Sequence, residues 1–269
     1  MKFKLYLVAI SILFIFSCSE KINLEIPNET PLLVVEGEVT NESDSSYVKL
    51  SLSRNYYSPD APPIIENASV KVNNIPFVFD DTLKVYKGPI GFKGQINTTY
   101  SLLVEYDKKT YTAQTYMEPM FRVDSIFQTW KEAEFGGQLP AGWAVSYAGF
   151  DDRPQIKYTY FVSGIYSKII NQDSFNIDKI TFDNSLTPVN KPYVFELPFS
   201  RYNSGDVFIA IFRSIDKNMY SFINEYNNTS PDIPGPFQTP PANLPTNITN
   251  GAVGYFTAYD VVRKRYTLK

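Results

Sequence analysis

The chain has 269 residues, a formal net charge of −3, 43% hydrophobic and 20% charged residues. This balance describes a globular protein and excludes a disordered chain; the mild acidity excludes the clustered basic footprint of a nucleic-acid binder. There is no histidine and only one cysteine, Cys18, which excludes Ser-His-Asp and Cys-His nucleophiles, His-ligated zinc and intrachain disulfides. Carboxylate chemistry, Ser-Lys chemistry and oxygen-ligated cations are what remain, so the expectation is a non-enzymatic protein with no cofactor and no metal.

Lys2 and Lys4 form a short basic start, Leu5 to Phe16 is an almost unbroken apolar run, and Ser17-Cys18 closes it. A positive start, a ~7–15-residue apolar stretch and a small residue at the cut describe a secretory signal. A cysteine directly after that small residue is the lipoprotein variant, with cleavage before Cys18 and acylation of its thiol. The competing reading, a membrane-spanning anchor, needs about 20 apolar residues, more than this run supplies. Residues 1–17 therefore read as a lipoprotein signal peptide, Cys18 as the lipidation site that seats the chain in a bilayer, and residues 18–31, with Pro27 and Pro31, as a tether.

From Leu32 the pattern changes to period two. In Tyr47 to Ser53, Val48, Leu50 and Leu52 share one face while Lys49 and Ser51 share the other, the mark of a strand with one buried side. Leu32 to Val39 is a second β-rich run. Asn73-Asn74 between Ser69–Val72 and Ile75–Phe79, and Asp107-Lys108-Lys109 between Tyr100–Tyr106 and Tyr111–Met117, predict hairpins, and Asp80-Asp81 a further turn before Leu83–Tyr86. About seven short strands over ~90 residues predict an immunoglobulin-like β-sandwich for residues 32–118.

Glu118-Pro119 reads as a domain boundary, and residues 119–269 as a second β-rich domain, sandwich or barrel-like. Its strand candidates are Arg122–Trp130, Trp143–Phe150, Lys157–Ile170, Val207–Ser214, Gly254–Tyr259 and Val261–Leu268. Asp216 fits an N-cap, and Met219, Phe222, Ile223 and Tyr226 follow helical spacing, predicting one short helix. The fold class is thus all-β. Ser230–Asn250 carries Pro231, Pro234, Pro236, Pro240, Pro241 and Pro245 and reads as an ordered, exposed loop.

Asp80-Asp81 and Asp151-Asp152 are paired carboxylates, but adjacent strand residues point to opposite faces, so neither pair makes a facing acid and base. Both sit where aspartate simply forms turns, with calcium as the competing reading. Asp81-Thr82-Leu83 and Asp124-Ser125-Ile126 fit a short Asp-Ser/Thr-aliphatic O-glycosylation pattern, for which strand or turn placement is the simpler account. Two stiff loops carry the candidate binding surface, Arg54–Pro63 with Tyr56 and Tyr57, and Ser230–Asn250 with Phe237 and Asn247. Rigid aromatics are the usual anchors of binding surfaces. Covering their own sheet edges is the competing role, and for Asn247 it is bracing of the loop backbone.

Several stretches together resemble one Bacteroidota family of outer-membrane lipoproteins, domain of unknown function 4249. They are Leu33–Gly37, Val48–Tyr57, Glu66–Val72, Phe212–Asp216 and, most specific, Asn243–Phe256. The resemblance implies a lipidated cysteine, an immunoglobulin-like N-terminal domain and a β-rich C-terminal domain, in that order. It also implies an outer-membrane, lipid-anchored location, with the cell surface and the periplasmic face as the two alternatives, and a SusC-like TonB-dependent outer-membrane barrel as partner, with no catalytic residues to carry over. On this reading the chain is an accessory or substrate-capturing lipoprotein of such a transporter; the alternative is an independent surface adhesin or glycan-binding module.

Overall fold

Alternation of apolar and polar side chains builds the first half of the molecule. Strand β1 (Leu33–Thr40) buries Leu33, Val35 and Val39 on one face and turns Val34, Glu36 and Glu38 to the other. In β2 (Tyr47–Leu52), Val48 and Leu50 are fully buried, on the face that the spacing assigns to the core. The computed structural model describes residues 30–54, 58–167, 172–185, 188, 190–197, 201–229 and 244–269.

The chain continues through β3 (Ser69–Val72), β4 (Ile75–Asp80), β5 (Val85–Lys87), β6 (Thr99–Tyr106) and β7 (Lys109–Tyr116). Asn73 and Asn74 at φ 47° and 63°, and Asp107 and Lys108 at 47° and 60°, form the two hairpin turns; left-handed backbone at both central positions matches the strand twist. β14 (Val253–Tyr259), from the far end of the sequence, pairs parallel with β1, Val34 opposite Val253 through Thr40 opposite Tyr259. The resulting eight-stranded sheet runs β14-β1-β2-β5-β4-β3-β6-β7. Because β14 also lies against β7, the sheet curls into a nearly closed barrel around one core. The expected pair of opposed sheets is thus one sheet, continuous through β4, and it draws its last strand from beyond Glu118-Pro119. Gly254 makes that pairing possible: at φ +98°, a Cβ there would lie 2.1 Å from the Val35 carbonyl oxygen.

The second half contains β8 (Arg122–Lys131), β9 (Gly142–Phe150), β10 (Tyr158–Ser167), β11 (Gln172–Asp183), β12 (Pro192–Glu196), β13 (Val207–Ile215) and β15 (Val261–Thr267). They form a three-stranded sheet, β12-β9-β8, and a four-stranded one, β11-β10-β13-β15. An aromatic-rich core that includes Phe121, Tyr147, Phe161, Phe208 and Phe212 draws on both sheets. β13 is apolar on both faces: Phe208, Ala210 and Phe212 enter that core, while Ile211 and Ile215 join a second cluster with Val162, Ile223, Tyr259 and Val261. Helix α1 (Lys217–Thr229) supplies Ile223 to this second cluster, with Met219, Tyr220 and Phe222 packed against it. The Met219 N–H donates to Asp216 Oδ1 at 2.7 Å, the predicted N-cap. Tyr226, the last residue of that helical spacing, is 59% exposed. Phe222 meets Tyr255 of β14, so the helix lies between the outer faces of β13 and the barrel wall. Among the described residues no helix is long and apolar enough to cross a membrane.

Candidate functional site

The barrel closes at the seam between β7 and β14, and the segment Asn247–Gly251 makes the closure. Ile248 enters the barrel core between two residues that hold strand edges. The Asn247 carboxamide donates to the backbone oxygens of Phe256 at 2.7 Å and Gln114 at 3.2 Å, and its Oδ1 accepts the Phe256 N–H at 3.0 Å. One side chain thereby joins both strands. Two residues on, the Thr249 N–H donates to the Thr112 carbonyl at 2.9 Å, and the Thr112 N–H donates back to Thr249 Oγ1 at 2.9 Å. Asn250 Nδ2 reaches the Thr110 carbonyl at 3.3 Å. The free edge of β7 is covered at Thr110, Thr112 and Gln114 in turn.

This strap is also one wall of a trough of about 680 Å³ on the outer face of β6 and β7. Its other wall is the Asn73-Asn74 turn, and Ser101, Leu103, Thr112 and Gln114 lie along its floor. Among the described residues no charged side chain lines it. Asn73 is itself held, accepting from the Ser101 N–H at 2.7 Å and donating to the Thr99 carbonyl at 3.1 Å. Gln114 Nε2 lies 3.4 Å from Ser101 Oγ, a long contact that leaves it free to turn to another acceptor.

The predicted boundary at Glu118-Pro119 is clamped by groups from the second half. Ser214 Oγ donates to the Glu118 carbonyl at 2.6 Å, Lys157 Nζ to the Glu118 carboxylate at 2.8 Å, and Arg153 Nη1 to the Pro119 carbonyl at 3.1 Å. Asp260 Oδ2 accepts from the Met120 N–H at 2.8 Å. Asp151, expected as a turn former with calcium as the competing reading, is 2% exposed and forms a two-pronged pair with Arg153, at 2.8 and 2.6 Å. Burial pushes the Asp151 carboxyl up, but the Arg153 hydrogen bonds and charge outweigh it and hold the carboxyl below its usual range. The other pair is spent on its turn: Asp80 Oδ1 accepts the Thr82 and Leu83 N–H groups, and Asp81 pairs with Lys84.

Of the residues singled out from the sequence, Cys18, Tyr56, Tyr57 and Phe237 lie outside the described residues. The base of the Tyr56-Tyr57 loop is described: Arg54 Nη1 donates to the Ala61 carbonyl at 2.7 Å and Nη2 pairs with Asp60 at 3.0 Å. Asn247 is the candidate that the structure places, in the seam and along the trough. The residues that line the trough with it, Asn74, Ser101 and Gln114, are not legible together in the sequence because they come from a turn and two strands far apart along the chain.

These features define an all-β protein whose curled barrel and aromatic sandwich are joined by a helix and a clamped linker. The chain matches the family described as domain of unknown function (DUF4249) over residues 19–265, and it belongs to that family. No curated protein and no solved structure gives a match.

Proposed function

We propose that the chain is a non-enzymatic outer-membrane lipoprotein, an accessory or substrate-capturing partner of a SusC-like TonB-dependent transporter on the Bacteroidota cell surface. The observation that carries the anchoring is the N-terminal order of Lys2 and Lys4, the apolar run Leu5–Phe16 and the lone Cys18. The resemblance of the strap and the first strands to that lipoprotein family supports the partnership. The lack of any histidine, and the commitment of Asp80 and Asp151 to a turn and to Arg153, support a role without catalysis. A second reading, an independent glycan-binding module, is favoured by the uncharged trough.

Cys18→Ser should release the protein from membranes, since a single acylated residue is the anchor; a variant that still sediments with carbonate-washed membranes would refute the lipoprotein reading. Intact protein extracted in detergent should bring down an outer-membrane barrel. Tyr56→Ala with Tyr57→Ala, and separately Phe237→Ala, should weaken that recovery with little change in melting midpoint. Recovery of no barrel would favour the independent module.

A further inference from the structure

We propose that the trough between the strap and the Asn73-Asn74 turn binds a neutral polyhydroxylated ligand, a segment of uncharged glycan. Two other surface depressions are rich in charge: one holds Glu105, Asp107, Lys108 and Lys109, the other Asp44, Asp80 and Lys87. The trough is lined instead by carboxamides and hydroxyls, those of Asn74, Ser101, Gln114, Asn247 and Thr249, with Leu103 as an apolar patch on the floor. An ionic ligand entering it would lose hydration without a counter-charge. A sugar hydroxyl both donates and accepts, and a carboxamide offers a donor and an acceptor side by side. The apolar patch suits the C–H face of a sugar ring, and about 680 Å³ lies within the ~300–1,000 Å³ range of ligand sites.

The walls are preorganised. Asn247 and Thr249 are fixed by bonds to the β7 and β14 backbones, and Asn73 by bonds to Thr99 and Ser101. Those three side chains have little freedom left to lose on binding. The carboxamides of Asn74 and Gln114, both exposed, are the groups left to meet a ligand. An extended peptide fits less well. Peptides add to sheets along an edge, whereas the trough lies on a sheet face and the adjoining edge of β7 is covered by the strap.

This site is the capture site if the chain serves a transporter and the binding site if it is an independent glycan-binding module; it rests on that proposed function for its biological role, yet its binding is measured separately from barrel recovery. Full-length protein in detergent micelles is applied to an array of neutral, sialylated and sulfated oligosaccharides and to a peptide array. The strongest neutral hit is then titrated calorimetrically. Asn74→Asp with Gln114→Glu removes two NH2 groups, and with them four N–H donors, keeps both shapes and leaves the strap bonds intact. The double variant should bind that oligosaccharide at least tenfold more weakly at an unchanged melting midpoint; should it unfold, Gln114→Glu alone carries the comparison. Binding of no neutral glycan, preference for charged glycans or peptides, or undiminished binding by the folded variant would each overturn the site. Barrel recovery that survives such a result would leave the partnership standing.

Discussion

At the scale of single residues, this fold repeatedly uses a side-chain amide where a strand would use a peptide group. Asn247 does so for Phe256, Asn41 for Val261, donating to its carbonyl and accepting its N–H, and Gln128 for Lys269 in the same way. Each offers the donor and acceptor that a neighbouring strand would have offered, at a place where sheet geometry brings none. Asn247→Ala should therefore cost about 1–3 kcal/mol, the usual loss when partly buried backbone groups go unpaired. Asn247→Asp should cost at least as much, because it sets a carboxylate oxygen against the Phe256 and Gln114 carbonyls. Chemical denaturation of the two variants checks this, and an Asp variant as stable as the parent would remove Asn247 from the seam. The sequence shows Asn247 only as a loop asparagine; its local partner is nine residues away, but Gln114 is 133 residues away and no local pattern points to it.

At the scale of elements, what was legible follows from local chemistry. β2 and the hairpins β3–β4 and β6–β7 carry their own period and turn residues, and α1 its own cap, and all form where expected. Leu50, on the core face of β2, should cost about 2–5 kcal/mol when cut to alanine; a neutral melting midpoint would place its strand in another register. β11 and β12 went unread for physical reasons. The Gln172–Asp183 stretch holds Asp and Asn residues of low strand propensity, and β12 is short, opens on Pro192 and lies at a sheet edge. Both are strands by virtue of the neighbours they pair with, β10 and β9. The exposure of Tyr226 has a similar origin: helical spacing fixes a stripe, but only the packed surface decides how far along the helix that stripe is covered.

At the scale of the whole molecule, the two halves meet through polar as well as apolar contacts. Glu38, on the outer wall of the barrel, lies 3.9 Å from Arg213 of β13, whose guanidinium sits 5.3 Å from the Tyr259 ring centroid. Burial pushes the Glu38 carboxyl above its usual range, against the pull of Arg213 and Arg263. A carboxyl raised by folding is favoured as the neutral acid. Its contribution is present in full below the unfolded value near ~4.3 and is lost as pH rises through the folded value. Glu38→Gln removes that loss, so its melting midpoint should exceed the parent's at pH 8 and the gap should narrow toward pH 4. A variant less stable by the same margin at both pH values would show that Glu38 and Arg213 act as a net attractive pair. The parallel pairing of β1 with β14 also sets an order of events. Asn41, at the end of β1, waits for Asp260, 219 residues later, and β7 waits for the strap that covers its edge. Contacts so distant in sequence make folding slow. A chain emerging from its N-terminus first holds its barrel open at one seam for most of its synthesis, with the edges of β1 and β7 bare until β14 and the strap arrive.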